Sequence, residues 1–212
     1  MKRLSKTKYI FYGLGILILT LGISFTIKSD LGTSPFDALL VGLSLKVGLT
    51  IGSWEIIIAL LLIFCNSILK RQRPEFLGLL TALITGLGID VWLFLLQHLV
   101  QPEMWLSKLL CFMAGLIITG LGTAIYLHTN FAPIPIDRLM LIIRDLTKMN
   151  ILFSRTFIYL LFLTLAFIFK GPIGIGTLLT VFLGGPILNY FMPFIEKILN
   201  NFTLKKSNTL YK

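Results

Sequence analysis

The chain has 212 residues, of which 56% are apolar and 13% charged, and it carries a formal net charge of +10. A soluble domain of this length needs far more charge to cover its surface, so a soluble fold is excluded and an all-α polytopic membrane protein is expected. The basic excess is no nucleic-acid signature, because basic and aromatic residues do not alternate along any loop; it follows from topology.

Lys2, Arg3, Lys6 and Lys8 precede the first apolar stretch, 9–27. No small-x-small cleavage site follows, so this stretch reads as an uncleaved span rather than a signal peptide. Lys28 to Thr33 are too polar for lipid. Ser34-Pro35-Phe36-Asp37 then reads as a helix start, with Ser at the N-cap, Pro at the first helical position and Asp at the third. The helix it opens, 35–48, has only about two-thirds of the roughly 20 residues a span requires, so it is expected to be re-entrant or interfacial. Spans at 51–69 and 76–100 follow, separated by Lys70, Arg71 and Arg73. The remaining elements are a span at 105–127, a short helix at 135–148 opened by Pro135-Ile136-Asp137, spans at 151–169 and 173–195, and a basic tail.

The second half echoes the first. Gly22, Pro35, Asp37 and Leu39 recur one hundred residues later as Gly122, Pro135, Asp137 and Leu139, and Gly15, Ile18 and Leu21 recur as Gly115, Ile118 and Leu121. Later the spacing becomes ninety-nine, so Gly86 matches Gly185 and Asp90 matches Asn189. The halves, 1–100 and 101–212, are read as repeats of three spans plus a short helix. With six spans and both termini in the cytoplasm, the inner segments hold fifteen Lys and Arg and the outer ones four, as the positive-inside rule requires. An odd number of spans per half makes the repeats inverted. The competing arrangement, eight spans in parallel repeats, would place Asp137, Arg138, Arg144, Asp145 and Lys148 within a span and export Lys70, Arg71 and Arg73.

Such repeats put binding sites on their shared axis near the midplane. Asp90 stands deep in the third span, where a carboxylate costs at least about 3 kcal/mol to insert. It is expected to face its mate Asn189 across a central cavity, as a proton or cation coupling site or as a protonated group bonded to a neighbouring helix. Gly32, Thr33, Ser34 and Asp37, together with Asp137, are expected to shape the cavity ends, although Asp37 and Asp137 also read as caps of their own helices. Pro35 and Pro135 are structural helix starts. Glu55 and Arg155 match in the two halves, but inversion would separate them by about a bilayer thickness, roughly 30 Å, as interfacial charges. Trp54, Trp105, Tyr9, Tyr126 and Tyr211 suit an aromatic belt. Cys65 and Cys111 are expected as small buried apolar residues, and the paired glycines as close helix contacts. There is no nucleophile–base constellation, no phosphate loop and no metal-ligand spacing, so no enzyme activity, cofactor or metal is expected.

Asp30-Leu31-Gly32-Thr33-Ser34-Pro35-Phe36-Asp37, followed by Gly48-Leu49-Thr50-Ile51-Gly52-Ser53-Trp54, resembles the bacterial YczE/YyaS/YitT family of membrane proteins. The resemblance implies a bacterial cytoplasmic-membrane protein of the shorter YczE type, some of whose relatives have been grouped with small-molecule exporters. The second half departs from the motif at Phe131-Ala132-Pro133-Ile134-Pro135-Ile136-Asp137.

Together these readings lead to a secondary transporter, more particularly an exporter, that moves a small organic solute across the bilayer from a midplane site. The rival reading is a non-transporting accessory that binds a protein partner through the amphipathic 134–148 segment and the basic termini. A channel is disfavoured because no polar stripe runs along any span.

Overall fold

A computed structural model of the chain describes residues 6–148 and 151–209. Lys2, Arg3, Tyr211 and Lys212, which entered the charge and aromatic-belt arguments, lie outside the described residues. Every regular element among the described residues is helical: α1 (Lys6–Lys28), α2 (Pro35–Val47), α3 (Ile51–Lys70), α4 (Leu77–Leu96), α5 (Trp105–His128), α6 (Pro135–Thr147), α7 (Ile151–Ile168) and α8 (Ile175–Thr209). Helices α1, α3, α4, α5 and α8 are long and apolar enough to cross a bilayer, and α7 is a shorter apolar helix. The order of a long helix, a 13-residue helix and two further apolar helices occurs twice.

Local chemistry sets the boundaries. Ser34 caps α2 by accepting from the Asp37 N–H at 3.1 Å, and Pro35 occupies the first turn, where no amide donor is needed. Gly48 ends α2 at φ 95°, a conformation that glycine adopts without strain. Thr50 then caps α3 by accepting from Ser53 N–H at 3.0 Å, while the Trp54 indole donates to the Gly48 carbonyl at 2.7 Å and ties the turn down. Helix α6 starts at Pro135 without a side-chain cap at Ile134.

The spine of the molecule is an antiparallel pair. Gly15 lies against Tyr126, Gly122 against Leu19, Gly22 against Thr119 and Gly115 against Thr26. Numbers rise along α1 as they fall along α5, so the two helices run in opposite directions. A side chain at Gly22 or Gly122 would overlap the backbone opposite, which is the close approach that small residues permit between apolar helices.

Helix α4 flanks α1, with the Tyr12 hydroxyl bonded to Thr81 and the Trp92 indole donating to the Leu17 carbonyl at 3.1 Å. Helix α8 flanks α5, where Ile187 fills the space over Gly120. The remaining four helices form a second group around Phe36, Leu39, Leu40, Leu139, Met140, Ile158 and Phe162. Here the short helices cross over: α2 packs on α7, and α6 on α3. Asn66 of α3 donates to the Pro135 carbonyl at 3.0 Å, and Lys46 at the end of α2 donates to the Ile168 carbonyl at 2.8 Å.

The two helix groups are joined unequally. On one side α3 packs closely on α4 through the touching backbones of Gly52 and Gly86. On the other side, among the described residues, α7 and α8 stand apart after their connecting turn and a cavity opens between them. Only 6% of the apolar window of α8 is buried, against 33–50% for the other four long helices.

Not every glycine expected at a helix contact is at one. Gly13 has open space beside it, and Gly184 and Gly185 face the Arg155 guanidinium instead of a neighbouring backbone. Cys65 is exposed and Cys111 half-buried, so neither is the fully buried residue expected. Tyr126 leaves the aromatic belt entirely: it is 2% exposed, in the core between α1 and α5.

Candidate functional site

A cavity of about 410 Å³ lies where the two helix groups meet. The N-terminal turns of α2 and α6 reach it and deliver Asp37 and Asp137. The first turns of α3 and α7 deliver Glu55 and Arg155, which line the same cavity instead of lying a bilayer apart. The expectation of separation failed because it treated the first turn of each helix as its membrane surface. The crossed packing of α2 on α7 and α6 on α3 instead draws these turns toward the centre.

The four charged groups are held differently. The Asp37 carboxylate accepts from the Ser34 hydroxyl at 2.5 Å, closing a capping arrangement within its own helix. Asp137 has no such local partner and accepts from the Tyr126 hydroxyl of α5. Arg155 donates to the Tyr159 hydroxyl at 2.9 Å and stacks on that ring, with Asp137 within electrostatic range. Among the described residues no carboxylate lies at ion-pair distance from Arg155.

Glu55 is 2% exposed and lines the cavity, yet no hydrogen-bond donor reaches its carboxylate among the described residues. Asp37 and Asp137 are its nearest charged influences, and both repel it. The buried Thr119 hydroxyl is also without a partner among the described residues, but it lies against Gly22 in the α1–α5 contact. Buried polar groups are normally satisfied, so Glu55 on the wall points to something the cavity takes up.

The residues expected to pair at the axis are not brought together. Asn189 is exposed and lines the cavity, whereas Asp90 does not. Asp90 is half-buried six residues before the end of α4, and its carboxylate accepts from the Gly52 N–H at 2.8 Å. An anion beside free amides at a helix N-terminus is a structural anchor, and this one fastens α3 to α4. Gly32 and Thr33 also stay off the wall. Gly32, at φ 94°, lets the loop backbone approach Gly174, and Thr33 bonds to the Thr26 hydroxyl at 2.9 Å. Ser34 and Asp37 do line it.

Glu55, Arg155, Tyr126 and Tyr159 are therefore the site residues that sequence reasoning missed. The available signal was a charge four residues into an apolar helix at equivalent places in both halves. A second cavity, about 510 Å³, lies beside the 71–78 connection and the start of α6. There the half-buried Arg138 donates to Glu75 through Nη2, while its Nε has no partner among the described residues.

A chain whose described elements are all helical, with five of them long and apolar enough to cross a bilayer, is a multi-pass membrane protein. Comparison places it more closely: residues 6–193 match the family of unknown function DUF6198, and the chain belongs to that family. It is 65% identical to the uncharacterised protein YyaS of Bacillus subtilis over 190 residues, 90% of this chain and 94% of that one. It is 34% identical to the uncharacterised membrane protein YczE of the same organism over 201 residues, 94% and 92% of the two chains. An uncharacterised protein of Haemophilus influenzae is 26% identical over 184 residues, 85% and 81% of the two. The YczE/YyaS resemblance carried by the two motifs is thus borne out. No solved structure is significantly similar to this chain.

Proposed function

We propose that this protein is a secondary transporter, an exporter of a small organic solute, built from two inverted halves of three spans and one re-entrant helix. The antiparallel course of α1 and α5 supports inversion, since equivalent helices then cross the membrane in opposite directions. With basic connections inside, the start of α3 and the end of α4 lie outside, where Asp90 and the Gly52–Gly86 contact close the molecule. The start of α7 lies inside, where α7 and α8 are apart. The cavity in this state opens toward the cytoplasm, ready to load. In the opposite state α7 closes on α8 and α3 swings from α4, carrying the site outward.

The observation that carries this reading is the 410 Å³ cavity with Asp37, Glu55, Asp137 and Arg155 on its wall. Intramembrane charges are expensive and mark solute or ion paths. Flux in proteoliposomes, screened over cationic, zwitterionic, anionic and neutral solutes, tests it. At least one class should show saturable, protein-dependent flux, and uniform silence would contradict transport. The accessory reading has less support on α6, where Arg138 pairs with Glu75 and Arg144 with its neighbour Asp145.

A further inference from the structure

The cavity wall carries three carboxyl groups and one guanidinium. Asp37 and Asp137 are each steadied by a hydroxyl, and Arg155 is held against Tyr159. Glu55 is almost fully buried, accepts no hydrogen bond among the described residues and feels two further carboxylates. An isolated buried carboxylate is strongly disfavoured. It needs either a proton or a cation, and the chain's own guanidinium does not approach it to ion-pair distance. Much of the remaining wall is apolar, including Leu19, Ile23, Phe36, Met140 and Leu188, with the tyrosine ring of Tyr159 beside the charges.

We propose that the cavity binds an organic monocation, an ammonium-type head on an apolar body, whose charge is met by Glu55 in exchange for a proton. Binding replaces the carboxylic acid proton with the cation, and the proton leaves to water. The apolar walls take up the body, while the Tyr159 ring stays with Arg155. Arg155 is the resident positive charge of the empty cavity, and it works against a cationic guest. This deepens the transport reading and rests on it only for movement across the membrane, since binding is measured separately.

The groups facing Glu55 across the cavity are Asp37 from α2, Asp137 from α6, Arg155 and Tyr159 from α7 and Tyr126 from α5. Helices α1, α4 and α8 contribute no charged residue to the wall among the described residues. Deprotonation of the carboxyls favours the cation, so affinity rises with pH, by about tenfold per pH unit where one proton exchanges for one cation.

The test is equilibrium binding to the purified full chain of two ions of the same shape and opposite charge, tetraphenylphosphonium and tetraphenylborate, with tetraethylammonium as a smaller cation. Saturable binding of a cation but not of the borate is expected, tightening from pH 6 to pH 8. Glu55→Gln should weaken it at least tenfold. Arg155→Gln should leave it equal or tighter, whereas a guest held by Arg155 through its own anionic group would bind more weakly. Retained thermal stability of both variants shows that the fold survives, and the pH profile of the unaltered chain tests the exchange without substitution. Equal binding of phosphonium and borate, an unaffected Glu55→Gln variant, or no saturable binding of either cation overturns the proposal. Flux of an anionic or neutral solute alone would sink it and leave transport standing. A cation that binds without ever crossing would do the reverse.

Discussion

Glu55 stands four residues into α3, where a sequence argues for a charge that reaches back to the membrane surface, yet it is 2% exposed and faces the central cavity. Asp90 shows the opposite relation: deep within an apolar stretch by sequence, it serves as an anchor for the first turn of α3. Replacing Asp90 by Leu removes one charge-assisted bond at a half-exposed position and should lower stability by about 1 kcal/mol, read as a small drop in midpoint by heat challenge in detergent. Ser34 both caps α2 and donates to Asp37. Ser34→Ala should cost about 1 kcal/mol, the usual value for a lost cap, and should leave Asp37 as a second unpartnered carboxylate. The same heat challenge checks the loss.

Among the elements, α1 and α5 depend most on small residues. Gly22→Leu would drive a side chain into the Thr119 backbone, whereas Gly13→Leu would meet open space. The first should destabilise by about 3 kcal/mol or more, as overpacking of a tight contact does, and the second should be tolerated; size-exclusion profiles after heating distinguish them. The helices themselves were legible in the sequence, because apolar length and the Ser34-Pro35 and Thr50 starts are local signals. Their partners were not. That α2 lies on α7 and α6 on α3 is fixed by long-range contacts such as Asn66 to Pro135, and no local pattern encodes them. From sequence alone, Asp37 and Asp137 read as cavity residues through their helix starts, whereas Glu55, Arg155 and Tyr126 read as membrane-surface groups. Asp137 lacks the Ser34 cap that holds Asp37 and is held instead by Tyr126, a contact between separate helices.

At the scale of the whole molecule, the proposed transport cycle takes the closed α3–α4 contact and the parted α7–α8 pair as two settings of one repeated unit, with the cavity between them. Weakening the closed side should shift the balance: Asp90→Leu, at about 1 kcal/mol, changes the ratio of inward to outward states by roughly fivefold. It would show as new access to the cavity from outside. The most direct measurement of the account is cysteine accessibility from each side of sealed vesicles, in a Cys65→Ala, Cys111→Ala background, with single cysteines at Leu45, Leu146 and Asn189. Leu45 and Leu146 are exposed at the ends of α2 and α6, and Asn189 lines the cavity. The account predicts that an impermeant maleimide labels position 45 only from outside, position 146 only from inside, and position 189 chiefly from inside. Labelling of 45 and 146 from the same face would contradict inverted halves, and failure of 189 to label from either face would contradict an open central site.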